Sequence, residues 1–502
     1  MRSAGLFSWL AMLALSNGAL ILPRQGGGED LMGNSPVPYI VLTQPDATQE
    51  AVQNIKTTLA KDAVSGSLTW IPSARTGLEV LFKANITSQQ ASALALLTGV
   101  AHVVPDSPVL ETEPHPAALS SKGLNEASAA DSLASFELAP RAAWNLNNIV
   151  LQRRALDELK VISQPKGAKL ANLPGFGYSR EAGRGITIYV IDSGANPTNK
   201  EWSGMGGTHR FMYGPESLQV ESDFMNHGSC VASKAAGPMY GTAKNANLVM
   251  VKLSYKLTLS TMYDAIVEVR NDIEKNRLRG KAIINISFLL STSLPFAYAV
   301  LQTMCLRTLL VGLMANDVVV VTGSGNERAR GLEDVNQYPA LFGSTTDIIV
   351  VGGVNNDGTR AAFSQGTGNQ LTVSAPGFVT CASGEGPGSE NKFGTSYSCL
   401  HEETNALGPT PASPTVAGVI AVWLSQDIYQ ARLRVPGRVA ANVKAMVKEF
   451  AYPRIPAGPP VVWNGVDPRS RTCQAAGPGC GATTGPRPAP PSSPRKIPKK
   501  PS

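Results

Sequence analysis

The chain has 502 residues, is 43% hydrophobic and 16% charged, and carries a formal charge of +7, so it can bury a large core and is long enough for about three domains. Five basic residues (Arg487, Arg495, Lys496, Lys499 and Lys500) sit in a final segment without acids. The remainder is near charge balance, which argues against a nucleic-acid-binding protein, and six cysteines are too few to make disulfides the framework of the fold.

Residues 1–18 read as a signal peptide: Arg2, an apolar run from Leu6 to Leu15, then small residues at Ser16 and Gly18. A membrane anchor needs about 20 apolar residues, and neither this run nor any later one supplies them, so a secreted, extracellular protein without a stable membrane anchor is expected. Residues 38–112 predict a small α+β unit of ferredoxin-like βαββαβ pattern. Its strands lie at Tyr39–Leu42, Ser67–Ile71, Leu78–Phe82 and Ala101–Val104, and its helices at Thr48–Lys61 and Ser88–Leu97. Residues 113–143, rich in Ala, Ser and Pro, read as an exposed linker open to cleavage.

From 144 to 450 the apolar runs at Ile186–Ile191, Leu248–Val251, Ala282–Ile286, Val318–Val321 and Ile348–Val351 are continuous and not alternating, as in strands of a parallel sheet covered on both faces. Thr261–Leu278 and Ala297–Met314 are long enough for crossover helices. The fold class is α/β, a three-layer αβα domain with functional residues at the C-terminal ends of its strands. Residues 451–502 read as a disordered basic tail rich in Pro, Gly and Ser, in which Cys473 and Cys480 are close enough for a local disulfide; pairing among the other cysteines cannot be read.

Four turns carry chemistry. Ser396, in Gly394-Thr395-Ser396 ahead of an apolar helix, is a candidate nucleophile. Of five histidines, His227 alone opens a run of small residues, Gly228-Ser229-Cys230-Val231-Ala232, outside the small unit and the loops. Asp192, ending a buried strand before Ser193-Gly194, can orient that imidazole. Asn326, in Gly323-Ser324-Gly325-Asn326, offers an amide donor to an oxyanion.

The order Asp192, His227, Asn326, Ser396, with Gly241-Thr242-Ala243 between, resembles subtilases of the subtilisin and proteinase K kind, particularly secreted fungal ones. The resemblance covers roughly Ser163 to Phe450. It implies a monomeric serine endopeptidase acting on proteins or peptides, a removable inhibitory propeptide in the small unit, no cofactor for catalysis, and a structural calcium as the one metal to consider. No acidic cluster has the spacing of a calcium loop. The chain departs from the family at Ser287-Phe288-Leu289-Leu290, where glycines commonly line the specificity pocket and leucines would narrow it. A catalytically impaired relative that binds peptides or partners is the rival reading.

Two glycosylation sequons occur. Asn85 is the expected acceptor, and Asn285 should be buried in a strand. The fourteen residues Ser398 to Pro411 interrupt the motif around Ser396, and deleting them would join Tyr397 to Ala412 and restore it without a break. They are either a true insertion that rebuilds the helix behind Ser396 or an intron left in frame. The second reading preserves the motif and avoids an interior proline, which costs a helix about 3 kcal/mol.

Overall fold

The computed structural model describes residues 35–106, 148–214, 216–255, 257–288, 290–291, 296–393 and 411–470. The first unit runs β1 (Val37–Thr43), α1 (Gln49–Asp62), β2 (Thr69–Pro72), β3 (Glu79–Ile86), α2 (Ser88–Leu94) and β4 (Val100–Pro105). Its antiparallel sheet has the order β2-β3-β1-β4. Thr48 caps α1 by accepting from Ala51 N, and Thr87 and Gln90 form a capping box on α2, which satisfies amides that have no partner within the helix. Strand alternation then divides the side chains: Tyr39 and Val41 pack with Val52, Ile55 and Leu59 inside the unit, while Ile40 and Leu42 face the larger domain.

The larger domain opens with a hairpin of β5 (Ile149–Gln152) and β6 (Phe176–Ser179) enclosing α3 (Asp157–Ile162). Then follow β7 (Thr187–Asp192), α4 (Lys200–Ser203), β8 (His209–Tyr213), α5 (Gly228–Ala236), β9 (Asn247–Lys252), α6 (Leu259–Lys275), β10 (Ala282–Ile286), β11 (Leu290–Ser291), α7 (Phe296–Ala315) and β12 (Val318–Gly323). The last elements are β13 (Gln337–Tyr338), β14 (Ile349–Val354), β15 (Val373–Pro376), β16 (Phe378–Ala382), β17 (Ser389–Phe393), α8 (Ala412–Ser425), α9 (Asp427–Leu433), α10 (Val439–Phe450), β18 (Tyr452–Pro453) and β19 (Pro460–Val461).

Nine strands form one sheet in the order β18-β19-β15-β14-β12-β10-β7-β9-β8. Every described pairing in it is parallel except β18 with β19. Successive residues of one strand serve opposite faces. Ile188 and Val190 join α5, α8 and α10 on one side, and Tyr189 and Ile191 join α6 and α7 on the other. That is the three-layer α/β arrangement.

The sheet of the first unit lies on α6 and α7, sharing their apolar cluster through Ile40, Leu42, Leu81 and Val104. Polar bonds frame this contact. Lys83 Nζ meets Asp264 Oδ2 at 2.6 Å, Asp106 Oδ1 accepts from Ser260 N at 3.0 Å, and His102 Nε2 lies 2.8 Å from Thr308 Oγ1. Burial pushes the Asp264 carboxyl up to about 6 even against the pull of Lys83.

The segment after Phe450 corrects the sequence reading of a disordered tail beginning at 451. Val462 N donates to Ser374 O, Trp423 Nε1 to Asn464 O, and the Arg454 guanidinium to the carbonyls of Val161, Tyr452, Val461 and Val462. Ser374, Trp423 and Val161 lie far from this segment in sequence, so local composition gives no sign of them. Residues 471–502, with Cys473 and Cys480, lie outside the described residues, as do the leader 1–18 and the linker 113–143.

Candidate active site

Asp192 is the last residue of β7, and its carboxylate is buried. Oδ1 accepts from Ser193 N at 2.7 Å and lies 2.6 Å from His227 Nδ1. An ionised carboxylate only accepts, so Nδ1 carries the ring proton and Nε2 the lone pair. Gly194 lets the chain turn here: its φ is +107°, and a Cβ would stand 2.1 Å from Ser222 O.

His227 directly precedes α5 and is 3% exposed. The residue before it, Asn226, has φ of +51°, a region asparagine enters more readily than most residues other than glycine. Its side chain is held at both ends, Oδ1 accepting from Gly384 N and Nδ2 donating to Glu390 Oε2. Asp223, which sequence reasoning passed over, accepts from Ser193 Oγ at 2.6 Å, from His227 N at 3.1 Å and from Ser229 N at 2.7 Å. It ties the aspartate turn to the histidine turn and receives amides at the start of α5, where negative charge is favoured. Three residues beyond the histidine, Cys230 is bonded to Cys381 of β16. Beneath α5 lie buried charges. Lys234 Nζ is 3.7 Å from Glu158 Oε1, Glu201 accepts from Met239 N and Tyr240 N, and Lys244 donates to Pro238 O and Gly241 O. Burial lowers the Lys234 amine and brings Lys244 down to about 7.

Asn326 follows β12 and is 7% exposed. β10 lies between β12 and β7, so Asp192 and Asn326 stand at C-terminal strand ends separated by roughly 10 Å of sheet width. Ser287, one residue past β10, is buried and accepts from Asn285 Nδ2 at 2.7 Å. Phe288 is 4% exposed within the cluster shared with α6 and α7. Leu290 pairs with Tyr338 through β11 and β13, and Leu289 lies outside the described residues. Asn85 is half-buried near the end of β3, and Asn285 is fully buried.

α8 begins at Ala412, one residue after Pro411, and Thr415 Oγ1 donates back to Pro411 O at 2.7 Å. It is buried from Ala412 to Leu424. At Gly418 a Cβ would stand 2.0 Å from Thr242 Oγ1 and 2.4 Å from Ala235 O, so glycine sets how closely this helix approaches α5. Ser396 and the whole segment 394–410 lie outside the described residues. Among the described residues no group of three or more His, Cys, Asp or Glu is arranged to hold a metal ion, and no helix is long and apolar enough to cross a membrane.

Residues 183–447, just over half of the chain, match the pattern of the Subtilase family. A protein of Trichophyton rubrum named Subtilisin-like protease 2 is 31% identical over 299 residues, which are 57% of this chain and 61% of that relative. The protein of the same name from Trichophyton equinum is 30% identical over 341 residues, 65% of this chain and 70% of the relative. The chain thus spans less than two thirds of the first of these relatives. The crystal structure of a cold adapted subtilisin-like serine proteinase aligns at 23% identity and a TM-score of 0.45, covering 62% of this chain and 98% of that one. With the parallel sheet, the aspartate and histidine joined at its C-terminal edge, and a family match running through both, this chain belongs to the subtilase family.

Proposed function

We propose that the chain is the precursor of a secreted serine endopeptidase. Ser396 Oγ attacks the scissile carbonyl while His227 Nε2 takes its proton and later returns it to the leaving amine. Asp192 holds the ring in the required tautomer, and Asn326 with the Ser396 N–H receives the oxyanion. The observation that carries this reading is the 2.6 Å contact between Asp192 Oδ1 and His227 Nδ1 in a chain whose relatives are named as proteases. In this reading the unit β1–β4 is a propeptide seated on α6 and α7, and the linker after it is the maturation site.

The motif around Ser396 is continuous in the active form, with Tyr397 joined to Ala412. Supporting this, α8 starts at Ala412, directly after the segment that interrupts the motif, and is buried from Ala412 to Leu424. A fluorophosphonate probe on the secreted, matured protein tests the chemistry: labelling at Ser396 that a chelator leaves unchanged is expected, and properly folded protein that takes no label rejects it. Mass spectrometry of the same material tests the join. A peptide containing Cys399-Leu400-His401-Glu402 from active enzyme rejects it, and one running from Tyr397 into Ala412 is expected.

A further inference from the structure

We infer that Gln365 is the positioning residue for the oxyanion donor Asn326, an assignment that rests on the reaction proposed above. Gln365 lies in the loop after β14, far from Asn326 in sequence, and is 0% exposed. A buried carboxamide must find partners for an acceptor and two donor hydrogens or lose the hydration it had in the unfolded chain. Gln365 finds all of them. Oε1 accepts from Glu327 N at 3.2 Å. Nε2 donates to Asp334 O at 2.7 Å and to Asn336 Oδ1 at 3.1 Å.

Two bonds of this residue converge on the neighbours of Asn326. Its side-chain oxygen holds the amide of Glu327, and its own backbone N–H donates to Gly325 O at 3.1 Å. One residue therefore fixes the chain on both sides of Asn326. The fit is close: Gly325 has φ of +113°, and a Cβ there would stand 2.0 Å from Gln365 Oε1, so the carboxamide lies directly against the Gly325 α-carbon. The far end of the carboxamide is anchored to residues 334 and 336, just before β13, the strand that pairs with β11 beyond Ser287 and Phe288. Gln365 thus joins the Asn326 turn to the segment that follows β10.

An oxyanion donor acts through its direction at the moment charge develops, and losing one costs about 10²–10³ in turnover. Misplacing a group by about 1 Å from a distance costs about 10². A merely structural glutamine would lower stability without acting through Asn326.

The test is a double-mutant cycle on the secreted, matured enzyme, normalised to the fraction of folded protein. Gln365→Met keeps the volume and removes the three side-chain bonds. It should lower kcat about 10- to 100-fold and leave KM within about 2-fold. In an Asn326→Ala background the same change should lower kcat less than about 3-fold, because the group it positions is already gone. Equal losses in both backgrounds, or no loss in the first, overturn the assignment. Gln365→Asn, which retains the carboxamide but shortens its reach, replaces the Met variant should that one not fold, and failure of both to fold makes Gln365 a core residue only. Wild-type protein that hydrolyses no peptide and takes no probe at Ser396 would instead overturn the functional reading itself.

Discussion

The helix that follows the histidine and the helix that lies behind the serine motif are held by different means. α5 is surrounded by directional ties: the Asp223 carboxylate at its start, the Cys230–Cys381 bond, and Lys234 facing Glu158. α8 has no side-chain cap. It is held mainly by apolar packing on both α5 and the sheet and by the close approach at Gly418. An imidazole must present one nitrogen in one direction, which requires angular restraint, whereas a central helix has only to lie at the right depth.

The sharpest way to probe the directional side is Asp192→Asn. It should leave the fold intact and lower kcat by about 10⁴, because the imidazole then adopts the wrong tautomer; a fall of less than about 100-fold in steady-state kinetics would mean that His227 is oriented by other groups. Next comes the cross-link. Replacing both Cys230 and Cys381 by alanine opens a loop of 151 residues and should lower unfolding stability by about 3–5 kcal/mol, read from the denaturant midpoint of the Ser396→Ala protein. On the steric side, Gly418→Ala forces α8 away from Thr242 and should cost about 1–3 kcal/mol. If its denaturant midpoint matches that of the parent, the depth of α8 is not set at Gly418.

The smallest effect concerns the charges under α5. Burial holds the Lys244 amine at about 7, below the ordinary value of 10.5. Between those values the unfolded chain keeps a proton that the native protein gives up, so unfolding takes up protons and stability rises with pH. Lys444, brought to about 8 by burial, adds a contribution of the same sign. The melting temperature of the Ser396→Ala protein should therefore climb from pH 7 to 9. Lys244→Met should flatten the climb, and an unchanged slope would show that this amine is not what titrates.

What could be read from the sequence divides along the same line. Continuous apolar runs such as Ala282–Ile286 identified parallel strands because burial on both faces is a local property of the residues. Asp192 and His227 stood out because each ends or begins an element beside small residues. Asp223, Gln365 and the partner of Cys230 did not, because their value lies in partners that are distant in sequence or have no fixed spacing. β18 and β19 escaped notice for the same reason: strands of two residues carry no periodicity, and their order comes from Ser374, Asn464 and Arg454.

Those last two strands also bear on how the edge of the sheet is closed. β15 lies between β14 and β19, and its Val373 and Ala375 are fully covered. The family match ends at residue 447, so a chain stopped at Phe450 would keep every matched residue yet leave the outer side of β15 unpaired. An open, flat, apolar strand is a template for the same strand of another molecule. The short stretch from Tyr452 to Val462 covers that side of β15, and light scattering on a chain ended at Phe450 is expected to show growth into larger species that the longer chain does not form.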